Sequence, residues 1–221
     1  MHVLLLYPVL PAHILQFRGS MARLGKKSFY PPMDLLTIAA ILPQADDFHA
    51  QIKMTKARGI PVAVGGPYPT ALPEEEANSG ADFMVLNEGE ITVPMFLQDL
   101  DAGATSGTYE TEDKPDITET PIPRFELLDL DAYTALSVQF SRGCPFVCEF
   151  CDIITLYGRK ARVKSASQMI AELDYIYQMG WRGVVSVIDD NFIANRRHGK
   201  FFFARVRTLD ERKTLSVHVY Y

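Results

Sequence analysis

All three cysteines of this chain fall within eight residues, in "SRGCPFVCEFC", as Cys144, Cys148 and Cys151. Thiolates on one short loop can converge on a single soft centre, because sulfur selects zinc, copper(I) or iron–sulfur clusters over hard cations. A structural zinc site closes with four protein ligands, which here would require His198 or His218 beside the three thiols. Iron–sulfur clusters also take four cysteines as a rule, so a three-cysteine set leaves one iron open to a substrate or cofactor. A second group with chemical potential is the acidic pair Asp189 and Asp190, followed by Asn191 and Phe192 at the end of an apolar run. A third is the glycine pair Gly65 and Gly66, where a backbone without Cβ lets a ligand approach closely.

The rest of the composition narrows the setting. The chain has 221 residues, 48% hydrophobic and 22% charged, with a formal charge of -5. That is the profile of a globular protein, without the basic footprint that nucleic acid or an anionic membrane surface requires. The apolar start, Val3 to Tyr7, is too short to span a bilayer, and it lacks the basic lead and cleavage site of a signal peptide. With no export signal the expected compartment is the reducing cytosol, where clustered cysteines more often bind metal than form disulfides. His2, His13, His198 and His218 are scattered along the chain, as core or surface histidines are, and "RRHGK" is too short a basic run to argue for nucleic acid.

The elements that must position these residues alternate between strand and helix. "HVLLLYP" reads as a buried strand, "PPMDLLTIAAIL" as a helix over about 33–42, and "QIKMTKARG" as another helix closed by Gly59. "IPVAVGGPYPT" predicts a strand running into a Gly-Gly-Pro loop, "ADFMVLNEGE" a strand and turn, and "TVPMFLQDLDAG" a helix. From about Asp101 to Tyr133 the pattern gives way to Gly, Thr, Pro and acids, the composition of a linker. A second α/β run follows. "ALSVQFS" is a strand leading into the cysteines, and "KSASQMIAELDYIYQMG" is a helix with Ser165 and Gln168 placed for a capping box. "GVVSVIDDNF" is a strand ending in acids, "HGKFFFARVRTL" a helix, and "TLSVHVYY" a further strand. This alternation predicts an α/β protein with parallel sheets. Residues 1–100 would form a Rossmann-like, doubly wound sheet, 101–133 a linker, and 134–221 a second α/β unit, which the resemblance carried by the cysteine motif makes the first βα units of a partial (β/α) barrel.

"CPFVCEFC" resembles the Cys-x3-Cys-x-aromatic-Cys signature of radical S-adenosylmethionine enzymes, with Phe150 in the aromatic slot. The order "VLLLYP", "PPMDLLTIAAIL", "PVAVGGPYPTALPEE", "ADFMVLNEGE" and "PIPRFELLDL" is similar to the subgroup with a cobalamin-binding domain ahead of the barrel. The resemblance implies that Cys144, Cys148 and Cys151 hold a [4Fe–4S] cluster whose fourth iron is chelated by S-adenosylmethionine. It implies that Phe150 borders the adenine, that Asp189 or Asp190 receives the methionine amino group, and that Gly65 and Gly66 face a corrin or nucleotide tail. Cobalamin, a flavodoxin- or ferredoxin-like electron donor, and a small-molecule or lipid-like substrate methylated or rearranged at an unactivated carbon complete the expectation. Two departures stand beside it. The Asp-x-His-x-x-Gly motif is absent, since Asp47 and His49 are followed by Ile52 where the glycine belongs, and only "PQADDF" stands where further βα units are expected. Because a full (β/α)8 barrel takes about 250 residues, residues 134–221 are expected to be part of one. Two other readings remain open: a structural zinc domain, and a remnant that binds a cluster without activity.

Overall fold

The computed structural model describes residues 52, 55–149, 151–192 and 216–219. The strand expected at 3–7, the helices expected at 33–42 and within 198–209, and Phe150 lie outside the described residues. So do Asp47, His49 and His198. His218 lies on a described strand.

The first half is a parallel sheet of three strands, β1 (Ala63–Gly65), β2 (Phe83–Val85) and β3 (Gly107–Tyr109), in that order. Val64 inserts on one side beside Ile52 and Val62. Phe83, Tyr109 and Phe96 form an aromatic core elsewhere, with Phe96 edge-on to both partners at centroid distances of 5.1 and 5.6 Å. Such T-shaped pairs are favoured by the ring quadrupoles over a face-to-face sandwich. Phe96 comes from helix α3 (Gly89–Asp101), which starts within "NEGE" rather than after it. The extended Glu88 is its N-cap, and Glu90 supplies the negative charge that a helix amino end favours.

Two stretches differ from the sequence expectation. "GGPYPT" is not a loop: Gly66 caps helix α1 (Pro67–Ala71), with proline at its first position, and α2 (Pro73–Ala77) follows. Pro67 sits where the missing N–H is not needed, so a sequence that reads as a turn continues into a helix. Residues 107–109, assigned by composition to a linker, form β3. A three-residue strand of Gly, Thr and Tyr is too short to leave a periodic signal, and it is its pairing with β2 that makes it one.

The second half begins with β4 (Ala135–Val138), buried throughout, and continues through a small antiparallel ribbon of β5 (Ser141–Arg142) and β6 (Arg162–Val163). Between the ribbon strands lie the cysteines and helix α4 (Ile153–Tyr157). Helix α5 (Ala166–Gln178) follows, then β7 (Val184–Val187) and β8 (Ser216–Val219). β4, β7 and β8 form a parallel sheet in that order, with Val138 opposite Val187. Leu136, Val138, Val185 and Val187 pack against Met169, Leu173 and Ile176 of α5, with Phe125, Phe140 and Phe192 at the margin. That arrangement, strand to helix to adjacent parallel strand, is the repeating unit of a (β/α) barrel. Ser165 caps α5 by accepting from the Gln168 N–H at 3.1 Å. The Gln168 side chain does not complete the capping box. Its amide donates instead to the carbonyls of Ile117 and Thr120 at 3.0 Å each, tying α5 to the segment that joins the halves.

Candidate functional site

Parallel strands lying side by side bring their carboxyl ends together, and here that juxtaposition fixes the approach to the cysteines. Beyond Val138 the chain leaves the sheet, so its next N–H groups lose strand partners and must find others. The end of β7 provides them. Asp189 accepts from the N–H of Phe140 at 2.7 Å and of Ser141 at 3.0 Å on one oxygen, and from the Ser141 hydroxyl at 2.6 Å on the other. Asp190 accepts from the Gly143 N–H at 3.0 Å. The Asn191 amide lies 3.4 Å from the Cys144 sulfur, as donor, and Phe192 packs its ring on Phe140 at 5.4 Å. Four consecutive residues thus grip four, Phe140, Ser141, Gly143 and Cys144.

The Asp189 carboxyl is raised above its ordinary value chiefly by burial, against which the hydrogen bonds from Ser141 and Phe140 work, while the neighbouring Asp190 charge raises it further. On its opposite side the Phe140 carbonyl accepts from the Lys164 N–H at 2.8 Å. Lys164 is itself buried in an ion pair with Glu172 of α5. Gly143 lies in the left-handed region at φ 88°, and a Cβ there would stand 2.7 Å from the Lys160 carbonyl oxygen and 2.9 Å from that of Gly158. Both conditions call for glycine. The Cys144 N–H then donates to Gly158 O at 3.2 Å, closing the base of the loop.

The cysteines differ in setting. Cys144 is buried, Cys151 half-buried and Cys148 exposed, with the Cys151 N–H donating to Cys148 O at 3.1 Å. Phe146 and Val147, between the first two, are 59% and 64% exposed. Among the described residues no three Cys, His, Asp or Glu side chains are gathered where a metal ion would sit. The donor set nevertheless suits a soft centre: three thiols, with an amide N–H beside the innermost sulfur, the kind of contact that tunes an iron–sulfur cluster. Where a metal centre is held by a loop of this kind, metal binding and loop ordering are coupled.

A group that sequence reading missed completes the site. Glu88 and Glu90, read only as part of a turn, reach across to the ribbon. Glu88 accepts from Arg142 at 2.8 Å and takes both Nη atoms of Arg162, at 2.7 and 3.0 Å. Glu90 accepts from Arg142 at 2.9 and 3.0 Å and from the Thr120 hydroxyl at 2.8 Å. Burial opposes the charge on both Arg142 and Glu90, yet their pairing prevails, holding the guanidinium well above and the carboxyl below their ordinary values. Further ties run the same way: Lys114 donates to Leu156 O at 2.8 Å and Arg162 to Pro115 O at 2.9 Å, and α1 touches α4. The signal in the sequence was two acids at i and i+2 and two arginines flanking the cysteine loop.

Gly65 and Gly66 each have a reason within the fold. A Cβ on Gly65 would meet Val85 O of the neighbouring strand at 2.5 Å, whereas Gly66 needs glycine for its φ of 98° and has nothing within 4 Å of where a Cβ would be. No helix among the described residues is long and apolar enough to cross a membrane.

No family model matches the chain. By sequence it is 44% identical to an uncharacterized methyltransferase of Synechocystis sp., over 96% of this chain and 46% of that protein. It is 36% identical to the hopanoid C-2 methylase of Rhodopseudomonas palustris, over 77% of this chain and 39% of that protein. The first alignment runs over 244 residues, more than this chain contains, so that relative carries internal positions absent here. The chain spans less than half the length of either relative. By structure it is similar to the cobalamin-dependent S-adenosylmethionine radical enzyme OxsB, solved with aqua-cobalamin and S-adenosylmethionine bound. The TM-score is 0.59, at 15% identity, covering 90% of this chain and 35% of that one. By sequence, then, the chain is related to methyltransferases, and its three thiols follow a parallel strand in a fold similar to that of a cobalamin-dependent S-adenosylmethionine radical enzyme.

Proposed function

We propose that this chain is the cluster-bearing portion of a radical S-adenosylmethionine methyltransferase, with Cys144, Cys148 and Cys151 as the protein ligands of a [4Fe–4S] cluster. The observation that carries the reading is a loop with three thiols in a chain with no fourth cysteine, its first limb fixed in place at the carboxyl end of a barrel-type strand. Barrel enzymes build their sites at that end. When bound, the cluster supplies the electron for reductive cleavage of S-adenosylmethionine. The chain's own residues have other tasks. Asp189 holds the backbone of Phe140 and Ser141 and Asp190 that of Gly143, so their part in cofactor binding is exercised through the limb that leads to Cys144. Asn191 donates to the innermost sulfur. Gly66, with no described atom within 4 Å of where a Cβ would be, is a position next to Gly65 from which a cofactor tail would meet backbone without obstruction. The hopanoid C-2 methylase among the relatives supports a carbon of a lipid-like molecule as methyl acceptor. The exposed Phe146 and Val147, beside the thiols, would face an electron donor of the flavodoxin or ferredoxin type, and the clustered free thiols suit the reducing cytosol.

The test is anaerobic reconstitution of the purified chain with iron and sulfide, followed by low-temperature EPR of the reduced protein with and without S-adenosylmethionine. About four irons per chain and a reduced-cluster signal that shifts on adding the cofactor are the expected result. Stoichiometric zinc with no iron would overturn the reading and leave a structural metal site.

A further inference from the structure

We propose that Glu88 is a positioning residue for the cysteine loop, a carboxylate from the first half of the chain without which the ribbon that carries Cys144 does not hold its shape. The inference rests on the reading of the cysteines as cluster ligands, but its physical basis is independent of it.

The ribbon β5–β6 pairs Arg142 directly with Arg162. Like charges facing one another across an antiparallel pair destabilise it. Two strands of two residues each have almost no pairing of their own to offset this, since even a longer isolated hairpin is marginal in water. Glu88 resolves the conflict. It is buried, at 4% exposure, and it accepts hydrogen bonds from both guanidinium groups, with a two-pronged grip on Arg162. Glu90 adds a second carboxylate to Arg142, so two acids meet two bases with no net charge left over. The planar fork of arginine makes such an arrangement directional as well as attractive.

Position along the chain gives the grip its consequence. Arg142 is two residues before Cys144, and the residues between and around them are already held from the β7 side by Asp189 and Asp190. The acids of β7 fix the backbone of the loop's first limb within the barrel half. Glu88 fixes the same limb relative to the first half. A carboxylate 54 residues upstream of Arg142 therefore sets where the innermost thiol stands with respect to the sheet of β1, β2 and β3. In a protein that brings a cofactor from each half to one place, that registration decides whether they meet.

The experiment compares the wild-type chain with Glu88→Gln, and with Glu126→Gln as a control that alters only exposed contacts, to Arg124 and the Tyr175 hydroxyl. Amide hydrogen exchange of the metal-free protein is read at residues 141–144 and 162–164, and far-UV circular dichroism reports the fold. Each protein is then reconstituted, and its iron content and EPR line shape are measured. In Glu88→Gln the fold signal is retained while exchange in those two stretches rises by about tenfold or more. The reconstituted cluster is substoichiometric or broadened, and its response to S-adenosylmethionine is diminished. Glu126→Gln matches wild type throughout. Should Glu88→Gln not fold, Glu90→Gln, which leaves the fork on Arg162 intact, is expected to give the same pattern at smaller amplitude. A folded Glu88→Gln, or in its place a folded Glu90→Gln, with wild-type exchange and an unaltered cluster signal would overturn the proposal. If the wild-type chain takes up no iron, the cluster reading falls, while the exchange data still decide the role of Glu88.

Discussion

The two limbs of the cysteine loop are held in opposite ways. From Phe140 to Cys144 nearly every backbone group has a partner supplied by a neighbouring element: Asp189, Asp190, Lys164, Gly158, and the acids of the first half acting through Arg142. From Pro145 to Cys148 the side chains are exposed, and among the described residues a turn joins Cys148 to Cys151. The difference teaches how a fold can prepare a metal site without completing it. On the proposed reading, the buried Cys144 would define where the centre forms, and the more exposed Cys148 and Cys151 would close on it as metal binding and ordering proceed together.

The largest expected effect is on the fixed limb. Asp189→Ala removes the acceptor of three donors at once and leaves two backbone N–H groups and a hydroxyl without it in a buried setting. Each unsatisfied buried donor costs roughly 1–3 kcal/mol, so a loss of about 3 kcal/mol or more in urea unfolding of the metal-free protein is expected. Asp189→Asn keeps one acceptor oxygen and should recover part of it. If Asp189→Ala unfolds at the wild-type midpoint, the carboxylate is not what holds the limb, and the contrast between the two limbs loses its main support.

The strands, the long helix and the cysteines were legible in the sequence because their signals are local. The apolar stripe of α5, with Met169, Leu173 and Ile176 on one side, carries its period within thirteen residues, and the cysteine spacing needs eight. What governs the site was not local. Glu88 and Arg162 are 74 residues apart, and nothing in "NEGE" announces that its acids face a ribbon rather than solvent. Asp189 and Asp190 were legible as acids at a strand end. Their partners were not, because the acceptors' targets are backbone groups of a different segment, which composition does not mark. The same limit explains β3 and the helix after Gly66: a three-residue strand and a five-residue helix are made by pairing and capping, and their sequences, rich in Gly, Pro and Thr, read as turns.

Glycine offers a milder way to sharpen the comparison. Gly143 on the fixed limb and Gly66 in the first half have similar backbone conformations, at φ 88° and 98°. A side chain in that region costs roughly 1–3 kcal/mol on conformation alone. At Gly143 the new methyl would also press on the carbonyls of Lys160 and Gly158, whereas at Gly66 it enters open space. Gly143→Ala is therefore expected to destabilise by about 3 kcal/mol and to lower iron uptake, and Gly66→Ala by about 1 kcal/mol with uptake unchanged. Equal losses at the two sites would mean that the fixed limb yields easily, against the picture of a preformed anchor.

The smallest effects on folding, and the most direct reading of the contrast, come from the thiols themselves. Replacing Cys144 by Ala removes a buried sulfur and the acceptor of the Asn191 amide. A buried group of that size contributes on the order of 1 kcal/mol, so the metal-free variant should unfold at a measurably lower urea concentration. Cys148→Ala alters an exposed position, and surface changes of that kind ordinarily stay within about 0.5 kcal/mol. The metal-free protein should be indistinguishable from wild type. After reconstitution the order disappears: each variant is left with two thiols, too few for an open-site cluster of this kind, and both lose the EPR signal. Stability would separate the two cysteines because only one is buried in the fold, and iron would not separate them if both are ligands of the proposed centre. An outcome in which Cys148→Ala also destabilises the metal-free chain would show that the outer limb is packed before metal arrives, and the division between a fixed and a metal-ordered limb would have to be withdrawn.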